Sequence, residues 1–79
     1  MLVDIGNGNL ILTERVVTVE ALNNGRILTV KREALSRGLM IDACAGRTAR
    51  SAIHLDSNHI VISPVAKEEV IRILSTKAV

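Results

Sequence analysis

The stretch LMIDACAGRTARSAIHLDSNHIVIS, residues 39–63, decides how this chain folds. Leu39, Ile41, Ala43 and Ala45 alternate with Met40, Asp42 and Cys44, the period of two that marks a half-buried strand. Alternation returns over Ser51–Leu55, with Ile53 and Leu55 on one face and Ala52 and His54 on the other. Asp56-Ser57-Asn58-His59 carries turn-forming side chains and leads into another short strand, Ile60–Ser63. The segment predicts three antiparallel strands in sequence, with Gly46-Arg47-Thr48-Ala49-Arg50 as the loop between the first two.

Upstream, Gly6-Asn7-Gly8-Asn9 separates the runs Leu2–Ile5 and Leu10–Thr13. Glycine and asparagine tolerate positive φ, so this reads as a tight turn between two short strands. A glycine-rich phosphate cradle is the alternative, but such cradles need a helix N-terminus and no helical pattern follows these glycines. Arg15–Leu22 is rich in β-branched residues and reads as a strand stopped by Asn23-Asn24-Gly25. From Arg26 to Arg37, Ile27, Val30, Ala34 and Leu35 recur at helical spacing, with Gly38 placed as a left-handed cap. Lys31 falls inside that apolar arc, where it would snorkel or face a partner subunit. A second helix is predicted after Pro64, with Ala66, Val70, Ile71, Ile73 and Leu74 along one side and Glu68 and Glu69 in the first turn. The whole is an α+β fold, a single domain over residues 1–79 in which two helices cover one face of a small, mainly antiparallel sheet.

At 79 residues there is no room for a second domain, since independent cores usually need on the order of 50 or more residues. With 48% apolar residues and a net charge of +2, the chain lies far from the disordered class. The absence of Phe, Tyr and Trp argues against modules that read single strands by stacking bases on aromatic rings. Its 29 Ile, Val, Leu and Met residues exceed what one small core readily hides. Small domains without disulfide or metal staples commonly rely on association, so part of this surface is expected between subunits of a homo-oligomer. The lone Cys44 has no intramolecular partner, and Met1-Leu2-Val3-Asp4 lacks the pattern of a signal peptide. The longest apolar stretch, Ile60–Ala66, is broken by Ser63 and Pro64. Together these predict a cytoplasmic protein with no membrane span.

Chemistry-bearing residues are few. His54, Asp56 and His59 are spaced as a conceivable three-ligand metal site, but turn and strand roles account for them and no second cluster supports a metal. Cys44 reads as a small core thiol, and Ser51, Ser57 and Ser63 lack a nucleophile elbow. No catalytic residue and no cofactor are assigned. Charge is uneven: residues 1–25 carry −2, residues 26–50 carry +4 and residues 51–79 balance. Arg47 and Arg50, three apart beside Gly46, can aim their guanidinium forks at phosphates or base edges. They serve equally as solubilising residues, or as surface partners of Asp42 or Asp56, and charge alone does not separate these roles.

The runs Ile5-Gly6-Asn7-Gly8-Asn9, Arg15-Val16-Val17, Gly38-Leu39-Met40-Ile41-Asp42-Ala43, Gly46-Arg47-Thr48-Ala49-Arg50 and Leu55-Asp56-Ser57-Asn58-His59-Ile60-Val61-Ile62-Ser63 resemble the small bacterial regulators of the RemA family, the extracellular matrix regulators. The likeness extends from about Val3 to Leu74 in one ungapped register. It implies a cytosolic activator of biofilm-matrix genes, a ring-like homo-oligomer that engages double-stranded DNA through arginines of neighbouring subunits. By position, Arg15 and Arg47 match arginines implicated in DNA binding, and Arg50 matches a third. The family's second loop arginine directly follows the first, and that place here is Thr48. A Pro-x-Ser-Ala-Pro stretch that usually precedes the first helix is replaced by Leu22-Asn23-Asn24-Gly25-Arg26. Many copies on one duplex would multiply the few arginines of each, and curving the DNA would add readout of its deformability. A structural homo-oligomer without DNA binding is the rival expectation, favoured by Thr48 and the mild net charge.

Overall fold

Two short strands, β1 (Leu2–Asp4) and β2 (Leu10–Leu12), pair antiparallel across the 6–9 turn in a computed structural model that describes residues 1–75. The last four positions of the expected 1–79 domain lie outside the described residues. A 3₁₀ turn at Thr13–Arg15 leads into β3 (Val16–Ala21), then α1 (Asn24–Ser36), β4 (Met40–Asp42), β5 (Ser51–Leu55), β6 (Ile60–Ser63) and α2 (Lys67–Ser75). Strands β3 to β6 form one sheet in the order β3-β5-β6-β4, so the α+β class and the mainly antiparallel pairing are as expected.

The expectation of three antiparallel strands in sequence is corrected at β4. This strand lies beside β6 rather than β5 and runs parallel to it, with Ile41 opposite Val61. Period-two alternation reports that a segment is extended and half-buried, but carries no information on its partner or direction. The strand also ends at Asp42 instead of Ala45, because Ala45 and Gly46 take left-handed φ values of +50° and +83° and turn the chain out of the sheet. Residues 43–50 are long enough to carry the chain from the outer edge back to the centre, where a tight hairpin would have needed about 2–5 residues.

Helix α1 begins two residues before Arg26. Asn23 lies beyond the end of the preceding strand, as expected, and is also the N-cap, its side-chain oxygen accepting from the Arg26 N–H at 2.9 Å. At the other end Gly38 has φ +67°; its N–H donates to the Leu35 carbonyl and that of Leu39 to Ala34, the paired bonds of a left-handed glycine cap.

The helices do not share a face of the sheet, which corrects the expected layering. On one side α1 sets Val30 and Ala34 against Ala52, Ile60 and Ile62, with Cys44 and Ala49 in the same cluster. On the other, the β1–β2 hairpin and α2 bring Val3, Ile5 and Val70 against Ile53 and Val61. The central strands β5 and β6 therefore point side chains into two dry layers. Their alternation, Ala52 against Ile53 and Ile60 and Ile62 against Val61, sorts one set to each side.

Two expected core positions face outward. Leu35 is 61% exposed and Ile71 is 43% exposed, each one residue, or about 100°, past the buried Ala34 and Val70. Lys31 is half-buried at the edge of the α1 stripe.

At one end of the sheet, two buried serines lock the connections. The Ser63 hydroxyl donates to the Ile5 carbonyl at 2.5 Å and accepts from the Val65 N–H, while the Ser51 hydroxyl donates to the Val65 carbonyl at 2.7 Å. Gly6 sits in the same corner at φ +129°, where a Cβ would fall 2.9 Å from Cδ of Pro64. Gly6→Ala therefore meets both backbone strain and a clash, and is expected to cost about 1–3 kcal/mol. Urea unfolding followed by far-ultraviolet circular dichroism checks this, there being no aromatic chromophore to follow.

Candidate functional site

Strands β3, β4 and β6 finish at the end of the sheet where β5 starts, and residues 43–50 close over it. The loop is tied down at both ends. Ala43 N–H donates to the Ile62 carbonyl at 2.9 Å, extending the β4–β6 ladder, and Asp42 Oδ1 accepts from the Cys44 N–H at 2.8 Å. Arg50 donates its N–H to the Ser63 carbonyl and accepts from the Leu22 N–H. Cys44 and Ala49 are buried, so the short span between them holds Arg47 and Thr48 out in solvent, with Arg50 just beyond.

Arg47, Thr48 and Arg50 line one wall of an open cavity of about 360 Å³, completed by Gly6, Asn7, Pro64 and Val65. Asn7 joins the two walls: its side-chain N–H donates to the Ala43 carbonyl at 2.8 Å, fastening the hairpin turn to the base of the arginine loop. Sequence reading missed Asn7, because a residue at φ +54° in a Gly-Asn turn has a sufficient local explanation and nothing in the pattern signals a contact 36 positions away.

Ion pairing divides the arginines: three are paired, while among the described residues Arg32 and Arg37, like the two loop arginines, make no ion pair, and only Arg47 and Arg50 of these four line a common cavity. Arg26 pairs with Glu20 at 2.7 Å, Arg72 with Glu69, and Arg15 with Asp56 at 3.3 Å. Among the described residues neither Arg47 nor Arg50 makes an ion pair, Asp56 being engaged by Arg15 and Asp42 by the Cys44 N–H. Two arginines thus line one concave surface, which suits an anionic partner able to accept forked hydrogen bonds.

Arg15 lies elsewhere. Val16 pairs with Leu55 and Ala21 with Ser51, so Arg15 and Arg50 sit at opposite ends of β5, about 20 Å apart at strand rise. The Asp56 N–H donates to the Arg15 carbonyl, and both side chains of that ion pair are exposed, so it is worth under about 1 kcal/mol and exchanges readily for another anion. The structure brings Arg47 and Arg50 together and leaves Arg15 as a separate point of contact.

His54, Asp56 and His59 do not converge. His54 Nε2 faces Glu20 Oε1 at 3.3 Å, His59 Nδ1 meets the Ser57 hydroxyl at 2.8 Å, and Asp56 faces Arg15. Among the described residues, no group of three His, Cys, Asp or Glu side chains is arranged to hold a metal ion. No helix among them is long and apolar enough to cross a membrane. The Cys44 thiol donates to the Ile62 carbonyl, and burial, then the nearby Asp42 carboxylate, pushes its pKa up, the opposite of what a nucleophile needs.

Comparison with known proteins matches residues 2–74 to the RemA-like family model, described as extracellular matrix regulatory protein A-like. Relatives carrying the name "Putative regulatory protein" include one from Clostridium botulinum strain Eklund 17B, 40% identical over 76 residues, covering 96% of this chain and 85% of the relative. One from Clostridium acetobutylicum is also 40% identical, over 96% of this chain and 83% of its own length, and one from Clostridium kluyveri is 38% identical with the same coverage.

Two outcomes are expected from this chemistry. Alkylation of Cys44 by iodoacetamide near neutral pH is slow in the folded protein and reaches the rate of a free thiol in urea, as mass spectrometry of timed samples would show. Glu20 is held below the ordinary glutamate pKa chiefly by its hydrogen bond from Arg26. Its contribution is present above the unfolded-state pKa and is lost as pH falls through the folded-state value. Between about pH 7 and about pH 3 the wild type should lose more unfolding free energy than Glu20→Gln, read from urea midpoints.

Proposed function

This chain belongs to the RemA-like family, and from that premise we propose that it is a cytoplasmic transcriptional regulator of extracellular-matrix genes that binds double-stranded DNA as a ring-like homo-oligomer. The observation that carries the reading is the pair of arginines, Arg47 and Arg50, lining one exposed concavity with no acidic partner among the described residues. Phosphate oxygens are the natural occupants, because each accepts the parallel N–H donors of an arginine fork. Arg15, about 20 Å away and only loosely held by Asp56, supplies a second contact to the same or an adjoining stretch of backbone.

Thr48 stands beside this pair and offers a neutral hydroxyl. Each subunit thus brings three arginines, too few for tight binding alone. Copies arranged around a ring repeat them along one duplex, and every neutralised phosphate releases counterions. The lack of Phe, Tyr and Trp fits a partner whose bases stay stacked.

Titration onto a fluorescent duplex at several salt concentrations, with particle mass recorded on the same preparation, tests the reading. Affinity should fall steeply with salt, with a log–log slope of about −0.9 per phosphate engaged. Arg47→Ala should lose at least about tenfold in affinity and flatten the slope while keeping the wild-type mass, since it removes one contact from every copy. An assembled wild type that ignores duplex DNA at low salt would overturn this and leave a structural assembly as the function.

A further inference from the structure

The outer face of the β1–β2 hairpin and the outer face of α1 carry complementary features. Leu2 pairs with Leu12 and Asp4 with Leu10 in the hairpin register, while Val3 and Ile11 point inward. The outward set is therefore three exposed leucines around one carboxylate, with Leu2 56% and Leu10 57% exposed. On α1, Leu28 at 66% exposure and Leu35 flank Lys31 and Arg32 on a shallow surface groove that also includes Ser36. Among the described residues neither Lys31 nor Arg32 makes an ion pair. Leucines ringed by cations on one face thus match leucines around a carboxylate on the other.

The four-stranded sheet lies between the two faces, since α1 covers one side and the hairpin the other. We propose that the groove on α1 is the docking site for the hairpin of a second copy of this chain, with Lys31 and Arg32 facing the Asp4 carboxylate across the contact. One subunit cannot close this contact on itself. Because the two surfaces are different, the association is head-to-tail, leaves a free groove at one end and a free hairpin at the other, and closes into a ring when the rotation per step allows. Self-pairing of either face would instead juxtapose like charges, cations on α1 or carboxylates on the hairpin.

This inference rests on the reading that the chain works as an assembly, and two variants separate them. Leu28→Asp disables the groove and keeps the hairpin; Leu10→Asp disables the hairpin and keeps the groove. Both positions are exposed, so each variant should keep the wild-type circular dichroism spectrum, and Leu35→Asp with Leu2→Asp repeats the test if either unfolds. By native mass spectrometry of the full chain, each variant alone should fall from the wild-type assembly to the mass of one chain, 8.5 kDa. Mixed in equal amounts they should form a dimer of one copy each and nothing larger, because one intact groove remains for one intact hairpin. A wild type that is itself monomeric, a variant that keeps the wild-type mass or forms a dimer alone, or a mixture that stays monomeric would overturn the proposal. If the mixture pairs as expected but the wild-type assembly ignores duplex DNA, the DNA reading fails and the interface stands. If the wild type binds duplex and the variants assemble unchanged, the interface fails and the DNA reading stands.

Discussion

Strands β5 and β6 have a neighbour along each side and aliphatic side chains on both faces, so water must be excluded from two layers at once. A chain of this size has little to do it with, and no Phe, Tyr or Trp among its residues. Covering one face takes the whole inward stripe of α1; covering the other takes the hairpin and α2 together. Spending every cover in this way fixes where the ends of the strands emerge. It also leaves the outer sides of the cover elements, with their leucines, exposed as apolar surface, alongside Val17 on β3 and Ile41 on β4.

The drying extends to the polar groups at the end of the sheet. Ser51 and Ser63 are fully buried there, and their hydroxyls bond to the backbone of Ile5 and Val65. Among the described residues no buried side-chain nitrogen or oxygen lacks a partner. A buried hydroxyl left without its acceptor would cost about 1–3 kcal/mol, so these bonds hold the segment after β6 and the segment after β1 in one relative position. Gly6 and Pro64 meet because of that closure, and Asn7 then reaches the Ala43 carbonyl. The cavity beside the arginines is a product of core satisfaction and not of the loop alone.

With ten basic and eight acidic side chains, the net charge is a poor guide to the surface field. What matters is which cations are already neutralised. Arg26 and Arg72 are engaged by glutamates within the chain, whereas among the described residues Arg32, Arg37, Arg47 and Arg50 make no ion pair, and of these Arg47 and Arg50 line the same cavity. A surface ion pair is worth little in stability, so the fold loses nothing measurable by keeping two arginines unpaired on a rigid loop. A rigid loop in turn spares the ordering entropy that flexible side chains and segments lose on binding.

Local pattern was sufficient wherever one short-range interaction dominates. Alternation marked β4 and β5, the turn residues Asp56-Ser57-Asn58-His59 marked the approach to β6, β-branched residues marked β3, Gly38 marked the end of α1, and Gly6-Asn7-Gly8-Asn9 marked the hairpin turn, each because the preference is written in side chains a few positions apart. The arginine loop was legible too, as two cations flanking small residues beside a glycine. Other features depended on contacts between distant segments. The parallel placement of β4 beside β6, the division of the helices between two faces, and the outward turn of Leu35 and Ile71 follow from how the layers cover the sheet, which periodicity along one segment does not record. The pairing of Arg15 with Asp56 while Arg47 and Arg50 stay unpaired, and the joining of Asn7 to the loop, belong to the same class. Sequence by itself determined which residues are extended, helical or turning and which are charged; only the tertiary structure decided which of those charges meet each other and which stay unpaired, because that depends on distances between residues far apart in the chain.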